Sequence, residues 1–239
     1  MTKQRACVVL ERPPAKKPVR IPGGKGFASN KAARYDWVAR EVFLPLFPVI
    51  ARDVISFCGK RDGKCLDLGS GGGLFGYHIA RESEMSVCFL DIDPHAVDIC
   101  HRRGVEWNLA HRCTYVVADV VDMPFPDAGF DVVVSRSSWR FWGEMGRLRR
   151  AFAEIHRVLV PGGIALIGSS LGTPDIQDRI RARMKEIEPE WPRNVDKKKN
   201  SCTYAEMCDV LNGIGIRTRV EKSDRGTWLL IRKEAENLE

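Results

Sequence analysis

The chain has 239 residues and a formal net charge of +7, with 44% apolar and 29% charged residues. That composition excludes collagenous, disordered and disulfide-scaffold classes and leaves room for one α/β domain with a full core. The longest apolar stretch, Val42 to Ala51, is too short for a membrane span and carries two prolines, and the first ten residues lack a signal-peptide core, so a cytoplasmic protein is expected.

The positive charge sits at the start. Residues 1–34 hold nine Lys/Arg against one Glu, a net +8, which leaves the remainder near neutral. The stretch is rich in Pro and Gly and is expected to be a flexible basic arm ahead of one domain over residues 35–235. A contact with RNA or another acidic partner is the alternative. No aromatic residue interleaves the basic ones before Phe27, so nothing there stacks on bases. Trp37 to Ile55 is apolar at helical spacing, broken by Pro45 and Pro48, and predicts one or two helices over the mouth of the domain.

Lys64–Gly69 is a short apolar strand that runs into Gly69-Ser70-Gly71-Gly72-Gly73, and a helix follows over Leu74–Glu82. Strand, glycine turn and helix N-terminus suit close approach of an anionic or nucleotide ligand to the main chain. Ser86–Asp91 is a second strand ending in an acid, placed to accept hydrogen bonds from a ribose diol. Gly71-x-Gly73-x-x-Gly76 also satisfies the dinucleotide pattern. Two chemistries fit at this point: a nicotinamide or flavin dinucleotide, and S-adenosyl-L-methionine.

Pro94 opens a helix to about Arg103. Thr114–Ala118 is strand three, Val132–Ser135 strand four, Glu144–Leu159 a helix and Ile164–Gly168 strand five. Alternating strands and helices predict a parallel sheet covered on both faces. Helices are expected over Thr173–Ile187 and Tyr204–Leu211, with 171–201 forming a lid-like insertion. Ile216–Glu221 and Thr227–Arg232 read as a hairpin. The eight cysteines form no Cys-x-x-Cys and no zinc spacing, so free thiols and no metal site are expected.

Four blocks in order resemble the class I S-adenosylmethionine-dependent methyltransferases of the small-molecule type, methyltransferase domain 11-like, over roughly Tyr35 to Arg232. They are Leu66-Asp67-Leu68-Gly69-Ser70-Gly71-Gly72-Gly73, Leu90-Asp91-Ile92-Asp93-Pro94, Ala118-Asp119 with Met123 to Asp131, and Arg157 to Gly163. The resemblance implies a Rossmann-like, seven-stranded, mostly parallel sheet of order 3-2-1-4-5-7-6 whose last strand is antiparallel, with helices on both faces and a small helical lid. It implies a cofactor site of Asp67, Gly69, Ser70, Gly71, Gly73, Asp91, Ile92, Asp119, Val120 and Ser135. In that site Asp67 faces the ammonium of the methionine tail, Asp91 the ribose, and Asp119 the adenine amine. A nicotinamide oxidoreductase is the rival reading. Asp67 argues against it, because a dinucleotide turn has no use for a carboxylate there.

The acceptor side is less determined. Nucleic-acid amino methyltransferases carry Asn/Asp-Pro-Pro-aromatic after strand four. Here the slot reads Ser135-Arg136-Ser137-Ser138-Trp139, so a nucleic-acid target is not expected and a small molecule is. An RNA- or protein-directed enzyme using the basic arm is the alternative, and an arsenite-type enzyme would have only Cys202 and Cys208 to offer. Arg136 and Trp139 are the candidate catalytic residues. Trp139 is expected to wall the pocket and shield the sulfonium, and Trp142 either to join it or to pack in a helix. Arg136 offers a planar fork for an anion, whether substrate, cofactor carboxylate, or an acid such as Asp67 or Glu144. No histidine falls at a strand tip, so no general base is named, which leans towards a thiol, amine or carbon nucleophile.

Overall fold

The computed structural model describes residues 31–191 and 202–235. Most of the expected basic arm and the 192–201 part of the expected lid lie outside these residues.

The chain runs α1 (Lys31–Glu41), a 3-10 turn, α2 (Phe47–Cys58), β1 (Lys64–Leu68), α3 (Leu74–Glu82), β2 (Ser86–Asp91) and α4 (Pro94–Glu106). It continues through β3 (Cys113–Val117), β4 (Phe130–Arg136), a 3-10 turn (Ser138–Phe141), α5 (Met145–Val158), β5 (Leu159–Ser170), α6 (Pro174–Ile187), α7 (Tyr204–Asn212), β6 (Thr218–Ser223) and β7 (Gly226–Arg232). The seven strands form one sheet of order β3-β2-β1-β4-β5-β7-β6. The first five pair in parallel, and β7 is antiparallel to both its neighbours. This is the sheet the resemblance implied.

Two boundaries differ from expectation. Helix already runs over Lys31–Glu41, ahead of Trp37, Lys-Ala-Ala-Arg being a strong helix-forming stretch. β5 is longer than Ile164–Gly168, extending through a register shift near Pro161-Gly162. Such an irregularity is where a proline within a ladder is tolerated.

Strand alternation divides the core. Cys65, Val87, Phe89, Val132, Val134 and Leu166 point to the face covered by α2, α3 and α6. Leu66, Leu68, Leu90, Val133, Ala165 and Ile167 point to the face covered by α5 and α7. By the same alternation Asp67 points to the α3 side, into an otherwise apolar layer. Gly76 of α3 lets helix and strand approach there, since a Cβ would collide with the Phe89 ring and crowd the Asp67 carboxylate. Among the described residues no helix is long and apolar enough to cross a membrane.

Candidate active site

The glycine turn stands at the C-terminal tips of β1 and β2. Gly69 and Ser70 donate their N–H groups to Leu90 O at 2.8 and 3.1 Å, which fastens the turn to β2. Gly69, Gly71 and Gly73 have φ of +63°, +54° and +79°, a region that only glycine enters cheaply. No atom lies within 4 Å of where a Cβ on Gly71 would stand, so the turn presents open main chain at that point.

Two carboxylates flank it. Asp67 is 2% exposed and accepts from Gly76 N at 3.0 Å. Burial, reinforced by the charge of Asp91 and only partly offset by the Gly76 N–H, pushes its pKa up to about 7. Asp91 accepts from Gly71 N at 2.8 Å and from Asp93 N at 3.0 Å, and burial raises its pKa too, the two N–H groups opposing it. Both acids are thus held where their negative charge is costly, a situation that a cationic ligand relieves. Among the described residues the buried Ser70 hydroxyl finds no hydrogen-bond partner. An orphaned hydroxyl, an open stretch of main chain and two under-compensated carboxylates match what S-adenosylmethionine presents: an ammonium, a sulfonium, a ribose diol and a carboxylate. The residues fit the group.

Further along the strand tips, Ile92 is 65% exposed and Val120 is buried. Asp119 lies just past β3, accepting from Val121 N at 3.2 Å and from Arg147 of α5 at 2.6 Å. Burial works to raise its pKa, but these donors and the nearby arginines outweigh it and the net shift is downward.

The tip of β4 is buttoned to the glycine turn. The buried Ser135 hydroxyl bonds Ser138 Oγ, which donates to Leu68 O at 2.9 Å. A Cβ on Gly69 would collide with Ser138. Ser137 sits between them at φ +63° and donates its N–H to Gly168 O at 2.7 Å. Only a well-held turn keeps a serine in that conformation.

Arg136 ends β4, half-buried. Its guanidinium lies over the rings of Phe43 and Phe47, 4.9 and 5.7 Å from their centroids, and donates to Ser170 O at 3.3 Å. Among the described residues it has no carboxylate partner, neither Asp67 nor Glu144, and desolvation alone lowers its pKa to about 10.

Trp139 departs from expectation. It is 1% exposed, between the Tyr204 ring at 5.5 Å and the Arg140 guanidinium at 4.6 Å, and so walls no open pocket. Trp142 is buried against Phe152 on the same side. The 3-10 turn explains both: at three residues per turn positions 139 and 142 share a face, and that face is the core. Phe141 is left exposed instead. Asp36, Phe43, Phe47, Arg103 and Arg147 also reach this region without having been singled out in the sequence. Asp36 has a local partner in Arg40, at 3.2 Å, and Arg147 one in Trp142 O, at 3.0 Å, but the contacts that bring these residues to the site span 28 to 93 positions, and nothing local announces those.

A parallel sheet reversed at its last strand, with two acids flanking a glycine turn at the strand tips, defines a methyltransferase-class nucleotide-cofactor fold. The comparisons agree. Residues 66–167 match the family profile described as "Methyltransferase domain". A solved candidate S-adenosyl-L-methionine-dependent methyltransferase from Methanococcus maripaludis is 31% identical, superposes with a TM-score of 0.79, and is covered over 90% of this chain and 100% of its own. Ajmaline N-methyltransferase of Rauvolfia serpentina is 30% identical over 66% of this chain and 51% of that protein. The malonyl-[acyl-carrier protein] O-methyltransferase of Serratia marcescens is 33% identical over 47% and 40%. The chain thus spans about half or less of the length of these curated relatives. It belongs to the S-adenosylmethionine-dependent methyltransferases, and S-adenosylmethionine is its cofactor.

Proposed function

We propose that this chain transfers a methyl group from S-adenosylmethionine to a small, anionic metabolite by in-line displacement. Arg136 carries the reading. A half-buried guanidinium with no acid beside it is costly to keep, and it is placed at the tip of the strand adjoining the glycine turn. A carboxylate or phosphate on the acceptor compensates it through the bidentate geometry that arginine favours.

The cofactor supplies a methyl group already activated on a sulfonium. What remains for the chain is placement. Asp67 and Asp91 supply negative charge and acceptors beside the glycine turn, and Ser70 a free hydroxyl. The Ser135–Ser138–Leu68 link fixes the β4 tip relative to that turn, so an acceptor held by Arg136 is held relative to the cofactor as well. Bringing nucleophile and methyl to about 3 Å in line accounts for much of the rate of such a reaction. Phe43 and Phe47 close the site against water on the side of the helical cap.

Isotopically labelled S-adenosylmethionine incubated with a metabolite extract fractionated by anion exchange tests this. Labelled product is expected in the anionic fractions. With the acceptor in hand, Arg136→Lys raises its KM at least tenfold with little change in Tm or cofactor affinity. Label appearing only in neutral fractions, or unfolding of Arg136→Ala, would overturn the role given to Arg136.

A further inference from the structure

A buried ion pair joins α1 to the glycine turn. Arg103 of α4 donates to both carboxylate oxygens of Asp36, at 2.8 and 3.0 Å, and also to Gly72 O. Asp36 and Arg103 are 8% and 6% exposed. The turn itself accommodates the pair: a Cβ on Gly72 would collide with the Asp36 carboxylate and the Arg103 guanidinium. Gly69, Gly71 and Gly73 are glycine because their φ is positive, whereas Gly72 is glycine because the clamp occupies its side-chain space.

We propose that Arg103 is a positioning residue that couples docking of the cap helix α1 to occupancy of the cofactor turn. Asp91 holds the turn through Gly71 N, and Arg103 holds it through the carbonyl of the following residue, Gly72 O. The cofactor side and the cap side of the turn are thereby fixed by one short segment of main chain. If the clamp aligns the turn for cofactor, then by linkage cofactor must tighten α1 to the same degree. Cofactor release is then accompanied by loosening of α1. The inference rests on the cofactor occupying this turn.

The discriminating variant is the paired replacement Asp36→Leu with Arg103→Met. It removes the clamp without stranding a buried charge, a substitution that proteins often tolerate. S-adenosylhomocysteine is the probe, with stopped-flow fluorescence for its dissociation rate and hydrogen exchange across residues 31–41. In the wild-type chain the probe is expected to slow exchange in α1. In the paired variant that protection disappears and dissociation is at least tenfold faster, with Tm little changed. Gly72→Ala, which wedges the clamp open from the other side, should speed dissociation similarly, and combining it with the pair should add little. A lowered Tm with wild-type dissociation would make the pair merely structural and overturn the proposal, as would α1 protection that persists in the variant. Failure of the wild-type chain to bind the probe would bring down the cofactor assignment, and the clamp with it.

Discussion

Replacing Asp67 by asparagine should strengthen the protein and weaken its site at once. In the cofactor-free chain the Asp67 pKa is raised to about 7 from an ordinary 3.8. Over that interval the folded state keeps a proton that the unfolded chain releases, so stability falls as pH rises from about 4 to about 7 and is flat above. The gap corresponds to about 4 kcal/mol at 1.36 kcal/mol per unit, an upper bound for a buried acid that can relax. Asparagine preserves the shape, and its amide oxygen still accepts from Gly76 N–H. At pH 8 the Asp67→Asn chain should therefore melt higher by a few degrees to about 10 °C, taking about 2–4 °C per kcal/mol for a domain of this size. The same change removes a charged acceptor, and cofactor affinity should drop by about 1.5–3 kcal/mol. In the wild-type chain cofactor binding at pH 6 should release a proton, seen as buffer-dependent calorimetric heats, because the ligand's positive charge favours ionised Asp67. Scanning calorimetry with and without S-adenosylhomocysteine, at pH 5 and 8, reads both effects. A variant less stable than wild type at pH 8, with unchanged affinity, would refute the reasoning.

Asp91→Ala should weaken cofactor binding by about 1.5–3 kcal/mol while the far-UV spectrum stays native; calorimetry showing unchanged affinity would remove the ribose assignment. Ser138→Ala deletes the bond to Leu68 O and orphans the buried Ser135 hydroxyl, and should cost about 1–3 kcal/mol in chemical denaturation, with no loss meaning the link is idle. Cys65, Cys88 and Cys100 are buried, and burial raises the pKa values of Cys65 and Cys100 far above the usual thiol range. All three should resist a disulfide reagent until the chain unfolds, which thiol titration in native and denaturing buffer would check.

The sheet was legible because its signals are local. Buried parallel strands are short apolar runs, glycines mark the turn, and Pro94 marks the start of α4. Asp91 stands out for the same reason, as an acid at the end of an apolar run, and Asp67 as an acid within one, just ahead of the glycines. What lay beyond reading is what the third dimension assembles. Asp36 meets Arg103 across 67 positions, and Arg136 meets Phe43 across 93, with no periodicity linking either pair. Trp139 was misplaced for a related reason: the loop's 3-10 winding decides which aromatic turns inward, and the sequence pattern there does not announce that winding. Gly72 was legible as a glycine but not for its cause, since the carboxylate that excludes a side chain there comes from another helix.

The segment between β4 and α5 is fastened at both ends, at its start by Ser137 and Ser138 and at its finish by Arg147, whose Nε donates to Trp142 O at 3.0 Å. Ser137 and Ser138 attach to Gly168 O and Leu68 O, the indoles of Trp139 and Trp142 turn into the core, and Phe141 between them projects outward. Such a segment behaves as an exchangeable cartridge. Composition at Phe141 can be altered without retooling the sheet or the cofactor turn, provided the two serines, the inward pair of indoles and Gly143, whose φ is +104°, are retained. Divergence between related chains, and change by design, would then be concentrated at Phe141, with the rest of the fold carried over unchanged.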